Sequence, residues 1–244
     1  AEYANTVRGR REGAATPAYL VAGPDLLRVL DGGDAVRAAA RTQGISEREV
    51  FQAEGNQREP DWAGLAASFR APGLFADRRL VELRLPTGKP GKEGEKCLLA
   101  FCEDPPADVC LLVTCGEWSK SHGGKWAEAI ARIGAVAIAW QVKPHDFPDW
   151  IDRRLPARGV QAVPGAVRQL AERVEGNLLA AAQEVDKLAL LCAGTQADAG
   201  PLDAARMQSL VADSSRFDVF RLFDATMNGQ AGHGTPVARG VPGG

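Results

Sequence analysis

Val109-Cys-Leu-Leu-Val-Thr114 is a fully apolar run of strand length. Uninterrupted apolar runs of this kind belong to strands buried on both faces, the usual condition of a parallel sheet. Working outward, Arg79-Leu-Val-Glu-Leu-Arg-Leu85 alternates apolar and charged residues over a strand length. Ala18-Tyr-Leu-Val-Ala22, between Pro17 and Gly23, reads as a buried strand, and Ala135-Val-Ala-Ile-Ala139 as another. Glu49-Val-Phe-Gln-Ala53 is a weaker strand signal. Helical spacing falls between these runs, over Trp62–Phe69, Lys96–Glu103 and Lys125–Ile133. Asp25 to Gln43 is helical in composition, but Gly32-Gly33 costs about 1 kcal/mol per glycine relative to alanine. We therefore expect a break there, with a restart capped by Asp34. Pro86 to Lys96 reads as an exposed Gly/Pro/Lys loop. Strands alternating with helices predict an α/β domain with a mainly parallel sheet covered on both faces.

After Lys143-Pro144 the pattern changes. Phe147–Arg158, Pro164–Val174, Asn177–Leu191 and Leu202–Val211 all show helical spacing, with Gly176-Asn177 as the turn into the third. The chain thus divides into an N-terminal segment (1–16), an α/β domain (17–142), a small all-helical domain (143–212) and a final stretch (213–244). Residues 1–16 are expected to be disordered. From Asn228 onward, Gly, Pro, His and Thr without periodicity predict a disordered tail.

Composition excludes several classes. The 244 residues are 45% hydrophobic and 25% charged, as in ordinary soluble domains. A net charge of −2 provides no global basic field to draw the chain onto nucleic acid or membranes. No stretch approaches the roughly 18 apolar residues of a membrane span, and the start lacks the apolar core of a secretory signal, so a cytoplasmic protein is expected. Five cysteines argue against a closed disulfide framework. Cys97, Cys102, Cys110 and Cys115 lack paired C-x-x-C spacing, and the last two read as small buried hydrophobes rather than zinc ligands.

Catalytic motifs are absent by the same logic. A phosphate loop after the first strand would need G-x-x-x-x-G-K-[ST], and Gly23-Pro-Asp-Leu-Leu-Arg-Val-Leu30 does not fit. Gly88-Lys-Pro-Gly-Lys-Glu-Gly94 lacks the terminal Ser/Thr, and Gly123-Gly-Lys-Trp126 ends in a residue that cannot ligate magnesium. His122, His145 and His233 form no catalytic constellation and read as solvated surface histidines. Neither a catalytic group nor a cofactor or metal is expected. One feature stands out: Ala71-Pro-Gly-Leu-Phe-Ala-Asp-Arg78 places Leu74 and Phe75 side by side in a Pro/Gly turn. Displayed apolar anchors of this kind fill a partner's pocket, although physical chemistry alone favours their capping the bottom of the sheet.

Five segments then meet a known pattern in order: Pro17–Gly23, Asp34–Ala40, Ser68–Val81, Val174–Leu191 and Asp213–Phe220. Over roughly residues 17–229 the chain resembles the delta subunit of the bacterial DNA polymerase III clamp loader. The resemblance implies an AAA+-type (P-loop-NTPase-like) α/β domain without a working P-loop, then a helical lid, with most of the family's C-terminal collar domain lacking a counterpart. It implies a non-catalytic subunit of a DNA-directed DNA polymerase holoenzyme that binds and opens the beta sliding clamp. Leu74 and Phe75 become the clamp-binding pair, reversing the capping preference. Implied partners are the clamp, the gamma/tau and delta prime subunits, and primed DNA within the assembly, with no membrane. Arg78 and Arg79 become possible DNA or partner contacts. Two other readings stand beside this one: an active AAA+ ATPase, and a DNA-binding module using Arg78, Arg79, Arg84, Lys89, Lys92 and Lys96. Pro156, within the expected first lid helix, should kink it.

Overall fold

The computed structural model describes residues 16–53, 59–71, 78–119, 122–194 and 200–210. Two compact units divide the chain, Ala1–Gln141 and Val142–Gly244.

The first unit is built on five parallel strands: β1 (Ala18–Ala22), β2 (Glu47–Phe51), β3 (Arg79–Leu85), β4 (Val109–Cys115) and β5 (Ala135–Ile138). Their spatial order is β2-β3-β4-β1-β5, so the apolar run at 109–115 lies at the centre. Its alternate residues serve two cores, as the two-residue period of a strand requires. Val109, Leu111, Val113 and Cys115 join Val81, Leu83, Leu85, Ala18, Leu20 and Ala22 against helices α2 (Trp62–Arg70), α3 (Gly91–Glu103) and α4 (Lys125–Ile133). Cys110 and Leu112 join Leu80 and Val21 against α1 (Leu26–Thr42). Burial of each Leu or Val here contributes roughly 1.5–3 kcal/mol. The short β5 is half-buried throughout and forms one edge. β2 begins two residues earlier than expected and forms the other.

Helix α1 corrects the expectation of a break. It runs unbroken through Gly32 and Gly33, both buried in the packed structure. Asp34 does not cap a new helix, and its carboxylate lies 3.1 Å from Arg37. Strong ends offset the glycine cost. Asp25 accepts from the Arg28 amide at 3.2 Å, closing the N-terminus. At the other end Gly44 takes φ +80°, its amide donates to Arg41 O and that of Ile45 to Ala40 O, while the Ile45 side chain is buried. This is a complete Schellman stop with its hydrophobic contact.

Helix α3 is a second correction, because it begins at Gly91 inside the expected loop. Gly94 explains the misreading. A Cβ at that position would lie 2.6 Å from the Trp62 ring, so this glycine admits the indole of α2 rather than loosening the chain.

The second unit contains a 3-10 turn at Pro144–Asp146, then α5 (Phe147–Ala157), α6 (Pro164–Arg173) and α7 (Leu178–Gly194), with residues 204–210 also helical. Helix α5 packs on both α6 and α7. Phe147, Trp150, Ile151, Leu155, Val167, Leu170, Val185, Leu188, Leu202 and Met207 are buried there. Pro156 sits in the last turn of α5, which ends one residue later, so it coincides with a terminus where a mid-helix kink was expected. A single parallel bridge, Ala162 with Leu202, adds a strand-like contact that helical spacing did not foretell. Glu175 and Gly176 both take positive φ in the turn before α7, and Asn177 Oδ1 accepts from the Ala180 amide at 3.0 Å.

Candidate functional site

In a sheet of this order a nucleotide would be cradled between the end of β1 and the start of α1. Here three residues, Gly23-Pro24-Asp25, join the two elements. The Gly23 amide donates to Cys115 O at 3.1 Å and the Asp25 amide to Ala139 O at 3.4 Å, while Pro24 has no N–H to offer. A Cβ on Gly23 would meet Ala139 O at 2.1 Å, so the backbone is pressed against its neighbour. The helix N-terminus, which in a P-loop faces a phosphate, is already occupied by the Asp25 carboxylate.

The expected anchor residues Leu74 and Phe75 lie outside the described residues. Their flanks are described. Helix α2 delivers the chain to Ala71, and β3 begins at Arg79, with Arg78 half-buried before it. Arg79 is buried, its side chain 5% exposed. Its guanidinium donates to Ser68 O in the last turn of α2, to Ala71 O just beyond that helix, and to Ser68 Oγ at 3.2 Å. Ser68 Oγ passes a hydrogen bond on to Glu49 on β2. Glu49 and Asp108 carboxylates lie 3.8 and 3.6 Å from the guanidinium. One cation thus ties α2, β2, β3 and the segment entering β4 together. Sequence spacing held a signal for this: Arg79 shares its strand face with Val81, Leu83 and Leu85, which is the core phase of β3.

The six basic residues weighed as a DNA patch are not equivalent. Arg79 is directed inward as just described. Arg84 stands five residues further along β3, roughly 17 Å away, and its Nε donates to Glu82 at 2.8 Å. Lys89, Lys92 and Lys96 are exposed, the last two on α3. Glu82, 1% exposed, also receives Arg48 at 2.7 Å and Arg37 at 3.2 Å. Burial pushes its carboxyl upward, but the hydrogen bonds from Arg84 and Arg48 and the charge of Arg37 outweigh this and hold it below the usual range.

His122 departs from the solvated reading. Its Nδ1 accepts from the Ser119 amide at 2.9 Å, its ring stacks on Trp118, and Nε2 is buried. His145 is exposed, 3.4 Å from Asp146, and His233 lies outside the described residues. Cys110 and Cys115 are buried and Cys97 and Cys102 half-buried, all free thiols. Among the described residues, no group of His, Cys, Asp and Glu is placed to hold a metal, and no helix is long and apolar enough to cross a membrane.

These features define a class: an α/β unit built on a five-stranded parallel sheet, with its β1–α1 turn bonded to Cys115 and Ala139, followed by a helical unit. Comparison with known proteins narrows it. Residues 19–133 match the model of the family described as DNA polymerase III, delta subunit. The chain is 28% identical over 230 residues to the DNA polymerase III subunit delta of Escherichia coli, covering 94% of this chain and 65% of that protein. It is 27% identical over 227 residues to the same subunit of Haemophilus influenzae, covering 91% and 63%. The chain therefore spans just under two thirds of the length of these relatives. Among solved structures, the Bacillus subtilis DNA clamp loader delta protein shares the fold, with a TM-score of 0.61 and 16% identity over 87% of this chain and 67% of that one.

Proposed function

We propose that this chain acts as a clamp-loader subunit of the DNA polymerase III holoenzyme, binding a beta sliding clamp and favouring its open state. The observation that carries the reading is the family match over residues 19–133, a range that includes Leu74 and Phe75. Leu74 and Phe75 are the clamp-binding pair in this reading. They enter an apolar pocket on the clamp and shift its ring opening by differential affinity for the open and closed states. The mechanism is mechanical, with no bond made or broken by this chain.

The α/β unit is the clamp-binding domain and the helical unit the lid. The chain hydrolyses no ATP. Support comes from the β1–α1 turn, whose amides are committed to Cys115 and Ala139 and whose helix terminus is filled by Asp25. ATP on partner gamma/tau subunits controls access to the clamp-binding turn. Delta prime and primed DNA complete the assembly in the cytoplasm, with Arg78 as a contact to DNA or a partner. The inward course of Arg79 makes it a weaker candidate for that role.

The test is binding of this chain to a bacterial beta clamp, wild type against Leu74→Ala/Phe75→Ala, the mutant losing about 2 kcal/mol or more. A folded wild-type chain with no affinity for the clamp would defeat the proposal.

A further inference from the structure

Within the helical unit, a parallel bridge between Ala162 and Leu202 starts two helices side by side. The Val163 amide donates to Leu202 O at 2.9 Å, and the Leu202 amide to Gln161 O at 2.8 Å. Helix α6 then begins at Pro164, and the helical residues 204–210 follow Asp203, whose carboxylate accepts from the Arg206 amide at 2.8 Å. Further along, a cleft of about 360 Å³ is lined by Gln169, Leu170, Glu172, Arg173, Met207 and Gln208. That volume falls at the lower end of the range for small-ligand sites.

The lining combines three chemistries. Leu170 and Met207, each 1% exposed, give the cleft an apolar floor. Gln169 Oε1 is buried and accepts no hydrogen bond, an uncommon state for an interior carbonyl and one that a ligand N–H would relieve. One turn on along the same helix face, the exposed Arg173 makes no ion pair among the described residues. A matching ligand presents an apolar group, an N–H and an anion within the reach of one helical turn. The last residue of a polypeptide carries all three, as its side chain, its amide and its carboxylate. Glu172 on the same rim opposes a multiply charged anion such as phosphate and leaves a single carboxylate the better match. We infer that this cleft binds the C-terminus of a partner polypeptide that ends in an apolar residue. Its side chain lies against Leu170 and Met207, its amide donates to Gln169 Oε1, and its carboxylate meets Arg173. The site is independent of the clamp-binding reading.

The test uses the whole chain, isotopically labelled at its methionine methyls and followed by NMR, with acetyl-Ala-Leu bearing a free carboxylate as the probe. The chain has two methionines, so Met207→Leu assigns the Met207 signal. That methyl should shift saturably, with a Kd on the order of 0.1 mM for a ligand of this size. The same peptide with an amidated C-terminus should bind about tenfold more weakly, and inorganic phosphate should leave the signal unmoved. Arg173→Gln should lower affinity for the acid about tenfold, to the level of the amide, and leave amide binding as it was. Damage to the fold would instead weaken both. No saturable shift, equal binding of acid and amide by the wild type, or full affinity for the acid in Arg173→Gln overturns the inference. A shift with phosphate as large as with the peptide does so too. The acid–amide comparison needs no variant, so it decides even if Arg173→Gln does not fold.

Discussion

Glu82 on β3 and Arg48 on β2 meet 2.7 Å apart, the carboxylate buried and the guanidinium 40% exposed. Arg37 and Arg84 converge on the same carboxylate, so one acidic group organises three cations from α1, β2 and β3. Removing it leaves those cations facing one another. Glu82→Gln should cost on the order of 3 kcal/mol at pH 7, discounted from a fully buried pair because Arg48 and Arg84 retain solvent.

The pH dependence follows from the depressed carboxyl. A group held below its unfolded value of 4.5 contributes fully above that value, and its contribution is lost as pH falls through the lower folded value. Urea denaturation should show a constant gap between wild type and Glu82→Gln from about pH 8 to 5, closing in more acid solution. No gap at neutral pH, or one that widens in acid, would contradict the arrangement.

Burial pushes the Cys115 thiol up to about 12 and Cys110 up to about 11. The half-buried Cys102 is also raised to about 11, by burial that the nearby Arg132 only partly offsets. Thiolate is the reactive form. At pH 8 a disulfide reagent such as Ellman's should therefore leave Cys110 and Cys115 untouched in the native chain and modify both once guanidinium is added. Fast native reaction at either residue would mean that the β4 core is open.

Nucleotide offers an independent check on the β1–α1 turn. Titration with ATP and magnesium, followed by tryptophan fluorescence, should give no saturable change, because the Gly23 and Asp25 amides already have partners. Saturation in the micromolar range would favour the ATPase reading.

The sheet was legible because β4 and β1 are apolar without interruption, and α4 was expected over its observed range of Lys125–Ile133. Glycines were the main source of error. Gly32-Gly33 in α1 and Gly94 in α3 read as breakers, yet all three lie inside helices. Close approach of Trp62 to Gly94 is a relation between distant residues that local propensity cannot express. Arg79 was missed for a related reason. Its charge suggested the surface, whereas its phase on β3 placed it with Val81 and Leu83, where long-range partners neutralise it. Leu74 and Phe75 were singled out by their setting in the turn and by family resemblance, and they lie outside the described residues.

The most direct measurement is therefore the affinity of this chain for a bacterial beta clamp, by surface plasmon resonance, comparing wild type with Leu74→Ala/Phe75→Ala. The account predicts micromolar or tighter binding by the wild type and a loss of about 2 kcal/mol or more in the variant, roughly 30-fold. Equal affinity of two folded proteins, or no wild-type binding at all, would contradict it.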